Sequence, residues 1–342
     1  MLYTRRELGR LALAGLPSAA VLLRSEAASA ALARPESKWA GVQVGMNVPY
    51  NFGMGNYLNG DEILARCTQL GVSGVELRMQ PVELFLGSPT AATAAAAAER
   101  QRAEAAAGRG RGRGRAGGGR AALTPEQQAA QKAAAEATRK WRQSAPMGPV
   151  KAFRKKFEDA GVAIEVVKVD GIFGFADDEV DYAFALAKQL GATALSTEIS
   201  RDIAQTTRVG RFADKHKMMI GYHGHTETGP AQWEETFAHA KHNGANLDIG
   251  HFVGGHKTSP IPFLKQHHDR ITHIHVKDKT LEDANVPFGT GNTPIKEALQ
   301  LIRDNKWKMQ ATIEFEYPIP QGSDRMTELA KCVQYCKDAL LA

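Results

Sequence analysis

The sequence predicts a closed barrel of eight parallel strands, each followed by a helix: a (β/α)8 TIM barrel with a low-complexity insertion after the second strand. Three observations predict it. Short apolar runs alternate with amphipathic helical patterns along the 342-residue chain. Imidazoles and carboxylates gather toward the C-terminal ends of the later runs, where a parallel barrel keeps its reactive groups. Setting aside an Ala/Arg/Gly-rich stretch over 87–146 leaves about 245 residues, close to the ~250 usual for this fold. An open doubly wound sheet is the alternative, but the turn after the first run, NVPYNFGMGNYLNG, does not space its glycines as a dinucleotide loop does.

The elements follow in order. The first strand is GVQVGMNV (41–48), followed by the helical DEILARCTQLGV; the second is SGVELRM (73–79). The insertion comes next, with an alanine run and the repeat GRGRGRGRAGGGR, a composition that buries too little apolar surface to offset its ordering entropy. Within it, Thr124 to Arg142 begins TPEQ and is rich in helix formers, so a helix is expected there. VKAFRKKFEDAGV leads into the third strand, AIEVVKVD (163–170), and DDEVDYAFALAKQLGA into the fourth, TALSTEIS (193–200). The fifth to eighth strands are MMIGYHGH (218–225), ANLDIGHF (245–252), THIHVKD (272–278) and MQATIEFEYP (309–318). TPIKEALQLIRDNKW separates the last two, and DRMTELAKCVQYCKDALLA is the final helix. Glycines just past the last apolar position, as in QLG and DAG, are helix stops.

Residues 1–33 read as an export signal. Thr4–Arg10 is charged, Leu11–Leu23 is apolar but too short to span a bilayer and contains Pro17, and small residues run through Ala28-Ser29-Ala30. The paired Arg5-Arg6 resemble the twin-arginine type, so the barrel, 41–342, is expected in the periplasm or otherwise outside the cytoplasmic membrane, with no membrane segment after signal removal. Between Arg100 and Arg142 eleven Lys/Arg face three Glu, which accounts for the formal charge of +6; a basic excess confined to one insertion argues weakly for a nucleic-acid partner. Cys67, Cys332 and Cys336 form no metal-ribbon spacing and are expected to be small buried apolar residues.

All eleven histidines lie between His216 and His275, and His223/His225 and His273/His275 are pairs two apart, which puts each pair on one face of its strand. Reading every run to its end adds Glu76, Glu198, Asp248, His251, Lys277, Asp278, Glu314 and Glu316. Each buried polar group needs a partner, so this density is not core filling; imidazoles with carboxylates at successive strand ends are what a divalent metal ion needs.

LDIGHF, HIHVKD followed by PFGTGNTPI, and TIEFEYP resemble the last three strand ends of the xylose isomerase-like barrel superfamily, over about Gly41 to Ala342 apart from the insertion. The resemblance implies one divalent ion (Mn, Co, Zn or Mg) held by four side chains from the last four strands, and proton abstraction next to a carbonyl through a metal-stabilised enediolate. Asp248, His275 and Glu314 match three ligands. Many relatives have Glu on the fifth strand where this chain has His223, so either His223 or Glu198 is the fourth; Glu198 is preferred because a second carboxylate beside Asp248 suits a hard ion. His223, His225, His251, Glu316 and Lys277 are the candidate catalytic groups. Glu76, Arg78 and His273 are assigned to the far end of the substrate, with a salt bridge between strands the equal alternative for Glu76 and Arg78.

The expected activity is a sugar isomerase or epimerase. Its alternative is a 3-keto-glycoside lyase, hydrolase or dehydratase on the same site; behind these stand an apurinic-type endonuclease and a non-catalytic sugar-binding protein. Export favours a free sugar, an oxidised sugar or a keto-glycoside over a sugar phosphate as substrate.

Overall fold

A computed structural model describes residues 34–53, 57–94 and 124–342. The export signal and the Arg/Gly repeat expected above fall outside those residues. The compact unit spans Pro35–Ala342.

Eight parallel strands close on themselves: β1 (Val42–Val48), β2 (Gly74–Arg78), β3 (Ala163–Lys168), β4 (Ala194–Glu198), β5 (Met219–His223), β6 (Asn243–Asp248), β7 (Ile271–Val276) and β8 (Gln310–Ile313). Each pairs with its sequence neighbours, and β8 pairs with β1 to complete the ring. The predicted (β/α)8 barrel is the observed fold. Several predicted strands are too long at their C-terminal ends. ANLDIGHF was read as strand to 252, but β6 ends at Asp248 and a helix, Ile249–His256, starts at once because the Asp248 side chain accepts the His251 amide at 2.7 Å. Likewise His225, Glu314 and Glu316 lie beyond their strands, in the loops of the barrel mouth.

The barrel presents apolar residues to its helices and polar ones to its interior. Val44, Met46, Leu77, Leu195, Leu247, Ile274 and Ile313 are fully buried in one continuous apolar core. Each such side chain contributes roughly 1.5–3 kcal/mol relative to exposure. The alternate positions reach across the barrel between strands that are not neighbours: Asn246 on β6 donates to Ser196 on β4 at 3.2 Å, and Glu76 on β2 meets His275 on β7 at 2.6 Å. Such contacts are possible only through the interior.

Local chemistry sets the helix ends. Helix Gly60–Leu70 opens with a capping box between Asn59 and Glu62. It and helix Asp177–Leu190 end at Gly71 and Gly191, whose φ of 68° and 81° require the left-handed region. The helix expected from Thr124 is present as Pro125–Arg142. Its last residue is tied to the body: Arg142 donates to Glu83 at 2.7 Å and Glu179 at 2.9 Å, beneath the Phe175 ring. Cys67, Cys332 and Cys336 are buried and unbridged, as expected. Among the described residues no helix is long and apolar enough to cross a membrane.

Candidate metal centre

The barrel mouth is built from consecutive strands. His223 ends β5, Asp248 ends β6, His275 is the fifth residue of β7, and Glu314 follows β8. One ligand atom from each lies within 4.8 Å of the others, and all four residues are buried. Registers explain the convergence: Asp248 pairs with His275, and Thr312, two residues before Glu314, pairs with the same histidine.

Hydrogen bonds around the four leave specific atoms over. Asp248 Oδ1 caps the helix after β6, so Oδ2 is the atom turned to the cluster. Glu314 Oε1 accepts Asn47 Nδ2 at 2.9 Å, leaving Oε2 to face His275 Nδ1 at 3.1 Å. His275 turns its Nε2 to Glu76 Oε2 at 2.6 Å. His223 Nδ1 and His275 Nδ1 are buried without a hydrogen-bond partner, and Asp248 Oδ2 meets the Lys277 ammonium at 3.2 Å; the approach of His275 Nδ1 to Glu314 is close but misaligned. Buried polar atoms are rarely left so, and two imidazole nitrogens converging with two carboxylates fit a cation.

Glu198, the preferred fourth ligand in the sequence reading, stands outside this set. Lys168, fully buried at the end of β3, takes Glu198 Oε1 at 2.6 Å, and His225 Nε2 takes Oε2 at 2.9 Å. The alternative, His223, completes the cluster instead.

Glu76 and His273 also depart from their assignment to substrate. Both are 0% exposed, below the mouth, where Glu76 bridges His275 and, at 3.4 Å, His273. They sit in the barrel interior; Glu76 fixes the orientation of the His275 ring. Arg78 pairs with Asp170 and lies over the Tyr50 ring at 5.4 Å, the salt bridge that the sequence left as the alternative.

Lys277 is the centre of the charge network. Its buried Nζ lies 2.7 Å from Glu316, 2.8 Å from Glu314, 3.2 Å from Asp248 and 3.0 Å from His251 Nε2. Gly250 gives it room, since a Cβ there would stand 2.8 Å from the Lys277 carbonyl oxygen. Burial would lower the Lys277 pKa, but Asp248, Glu314 and Glu316 hold it well above the usual lysine range. The same attraction overcomes burial at Glu316, which Lys277 keeps below the usual carboxylate range.

The histidines differ in protonation. Burial, with Lys168 nearby, pushes His223 well below its ordinary value, so it is neutral and its nitrogens can ligate. His251 is lowered by burial too; it stands between Lys277 and Lys279 with its ring stacked on His225 at 5.0 Å. His225 is raised, chiefly by its hydrogen bond to Glu198. Burial opposes the charge on His275, but Glu314 and Glu76 raise it to about 10.

Asp278 has a supporting part: its carboxylate accepts the amides of Gly289, Gly291 and Thr293 at 2.8, 2.9 and 3.1 Å, folding the PFGTGNTP loop beside the mouth. Sequence reasoning missed Asn47, Tyr50 and Lys168. Lys168 had a visible signal, a lysine that closes the strand AIEVVK directly after two valines.

The profile of a family described as "Xylose isomerase-like TIM barrel" matches residues 64–336. Among solved structures the chain is similar to the probable 3-DHS dehydratase AsbF of Bacillus anthracis (13% identity, TM-score 0.55, covering 86% of this chain and 98% of that one). It is similar also to xylose isomerase domain proteins from Planctomyces limnophilus (14%, TM-score 0.51, 89% and 98%) and Alicyclobacillus acidocaldarius (10%, TM-score 0.55, 88% and 100%). At these identities the likeness concerns the fold. No curated protein matches the sequence.

Proposed function

Since the chain belongs to the xylose isomerase-like TIM-barrel family, we propose that it is a metal-dependent sugar isomerase or epimerase that removes a proton next to a carbonyl. The observation that carries this reading is the convergence of His223, Asp248, His275 and Glu314, with two buried imidazole nitrogens lacking a hydrogen-bond partner. A divalent ion held there supplies Lewis acidity toward a substrate oxygen. Two imidazoles with two carboxylates favour zinc or cobalt over magnesium.

The chain's own residues then divide the work. Glu316 is the base: its carboxylate is ionised, partly open to a cavity, and aimed by Tyr50 Oη at 2.7 Å and Lys277 at 2.7 Å. His225, which follows β5 rather than β8, flanks the cluster from another side and carries a proton because Glu198 holds it there. It returns a proton to the substrate. Delivered to the opposite face or the neighbouring carbon, that proton gives an epimer or isomer. Delivered to a departing β-oxygen it gives elimination, and the imidazolium character of His225 is the feature that favours this second, lyase or dehydratase, reading. Lys277 also supports one ion over a cluster of several, because its ammonium fills the space among Glu314, Glu316 and His251. The twin-arginine reading of residues 1–33 makes this an exported enzyme, testable by fractionating cells that express the full chain.

The test is metal analysis of the purified protein, then incubation with free ketoses and with a 3-keto-glycoside, with products identified. One ion per chain and turnover abolished by Glu316→Gln support the proposal. Three ions would favour the endonuclease. Sugar binding with no turnover, unchanged by Glu316→Ala, would favour a binding protein.

A further inference from the structure

Beside Glu316 the barrel mouth opens into a cavity of about 410 Å³, lined among others by Tyr50, Asn285, Phe315, Glu316, Tyr317 and Arg325. We propose that this cavity seats a carboxylate carried by the substrate, with Arg325 as its counter-charge. The inference rests on the sugar-enzyme reading above and narrows its substrate class to sugar acids.

Three observations carry it. The Arg325 guanidinium lies over the Phe315 ring, 5.0 Å from the centroid, and Nη1 donates to the Asn51 carbonyl at 3.2 Å. The ring contact and the single hydrogen bond fix the plane of the fork, yet no carboxylate among the described residues pairs with it. A planar fork with donors to spare is suited to a planar anion held by two parallel bonds. Gly53 keeps that placement possible, since a Cβ there would stand 2.8 Å from Arg325 Nε.

Asn285 makes the second argument. Its Nδ2 reaches Glu316 Oε2 at 3.4 Å, but its Oδ1 is buried without a partner. Turned toward the cavity that its residue lines, this amide would meet the hydroxyl of a polyol, which supplies the missing donor.

The third concerns charge. Glu316 lines the same cavity, but its carboxylate turns to Lys277 at 2.7 Å, an ammonium it shares with Asp248 and Glu314, and makes no ion pair with Arg325. The one guanidinium that lines the cavity balances one carboxylate. A phosphate dianion would leave a net negative charge next to Glu316, so the geometry selects the monoanion.

The test measures binding of D-glucuronate and D-glucose to the full-length, metal-loaded protein by calorimetry, for wild type, Arg325→Met and Arg325→Lys. We expect wild type to bind glucuronate tighter than glucose by roughly tenfold to a hundredfold. Arg325→Met should erase that gap, and Arg325→Lys should keep part of it, with metal content and circular dichroism unchanged in both. Equal binding of the two sugars by wild type, or a preference that survives Arg325→Met, overturns the carboxylate subsite and leaves the sugar-enzyme reading standing. Binding of neither sugar overturns both.

Discussion

Glu76→Gln isolates the role of the buried carboxylate that holds His275. In the wild type Glu76 Oε2 sits 2.6 Å from His275 Nε2, on the far side of the ring from Nδ1, the atom that faces Asp248 and Glu314. A carboxylate behind a ligating imidazole sets its tautomer and raises its basicity, and losing such a partner costs about 10–100-fold in metal affinity. That corresponds to roughly 1.4–2.7 kcal/mol. Gln keeps the size and one hydrogen bond, so the barrel should stay folded. The assay is chelator competition for cobalt or zinc on the purified chain, with circular dichroism as the check on folding. Glu198→Gln is the paired control: it lies outside the four-donor set, bound to Lys168 and His225, and should change affinity less than about threefold. A folded Glu76→Gln chain with wild-type affinity would refute the orienting role. A large loss in Glu198→Gln would refute the choice of His223 as fourth donor.

Three further outcomes follow from the same contacts. In the metal-free protein, the raised His275 stabilises fully below its ordinary 6.5 and less as pH climbs toward about 10, whereas the depressed Glu76 and Glu314 stabilise above 4.5 and less as pH falls. Thermal midpoints without metal should therefore peak between about pH 4.5 and 6.5 from these groups, while metal affinity should rise with pH as the cation displaces the His275 proton. Gly250→Ala should destabilise by about 1–3 kcal/mol and weaken metal binding, because the new methyl presses on the Lys277 backbone; denaturant titration and chelator competition check the two effects. Arg142→Met should cost roughly 3–5 kcal/mol in the same titration, since it leaves Glu83 and Glu179 unpaired where they are buried.

Much of the barrel is legible because strand alternation is local. THIHVKD puts His273, His275 and Lys277 on one face whatever surrounds them, and the structure shows all three reaching interior partners. Parity gives the face of a strand but not the depth along the barrel. Glu76 and His273 share a face with residues at the mouth, yet lie beneath it, and the sequence placed them with the substrate for that reason. Strand ends read too long for a similar cause: apolar residues continue through Ile249 into a helix that Asp248 caps, and alternation does not register a cap.

What the sequence determined by itself was most of the chemistry-bearing side chains, the faces they occupy and the eight-strand order that brings them to one end. What only the tertiary structure brought out was which of two adjacent candidates faces the convergent set. Glu198 and His223 are paired side by side in neighbouring strands, and no local pattern ranks them. Lys168, from the strand on the other side of Glu198, claims that carboxylate at 2.6 Å and leaves His223 to face Asp248, His275 and Glu314. A choice made by a charge thirty residues away exists only once the barrel has closed.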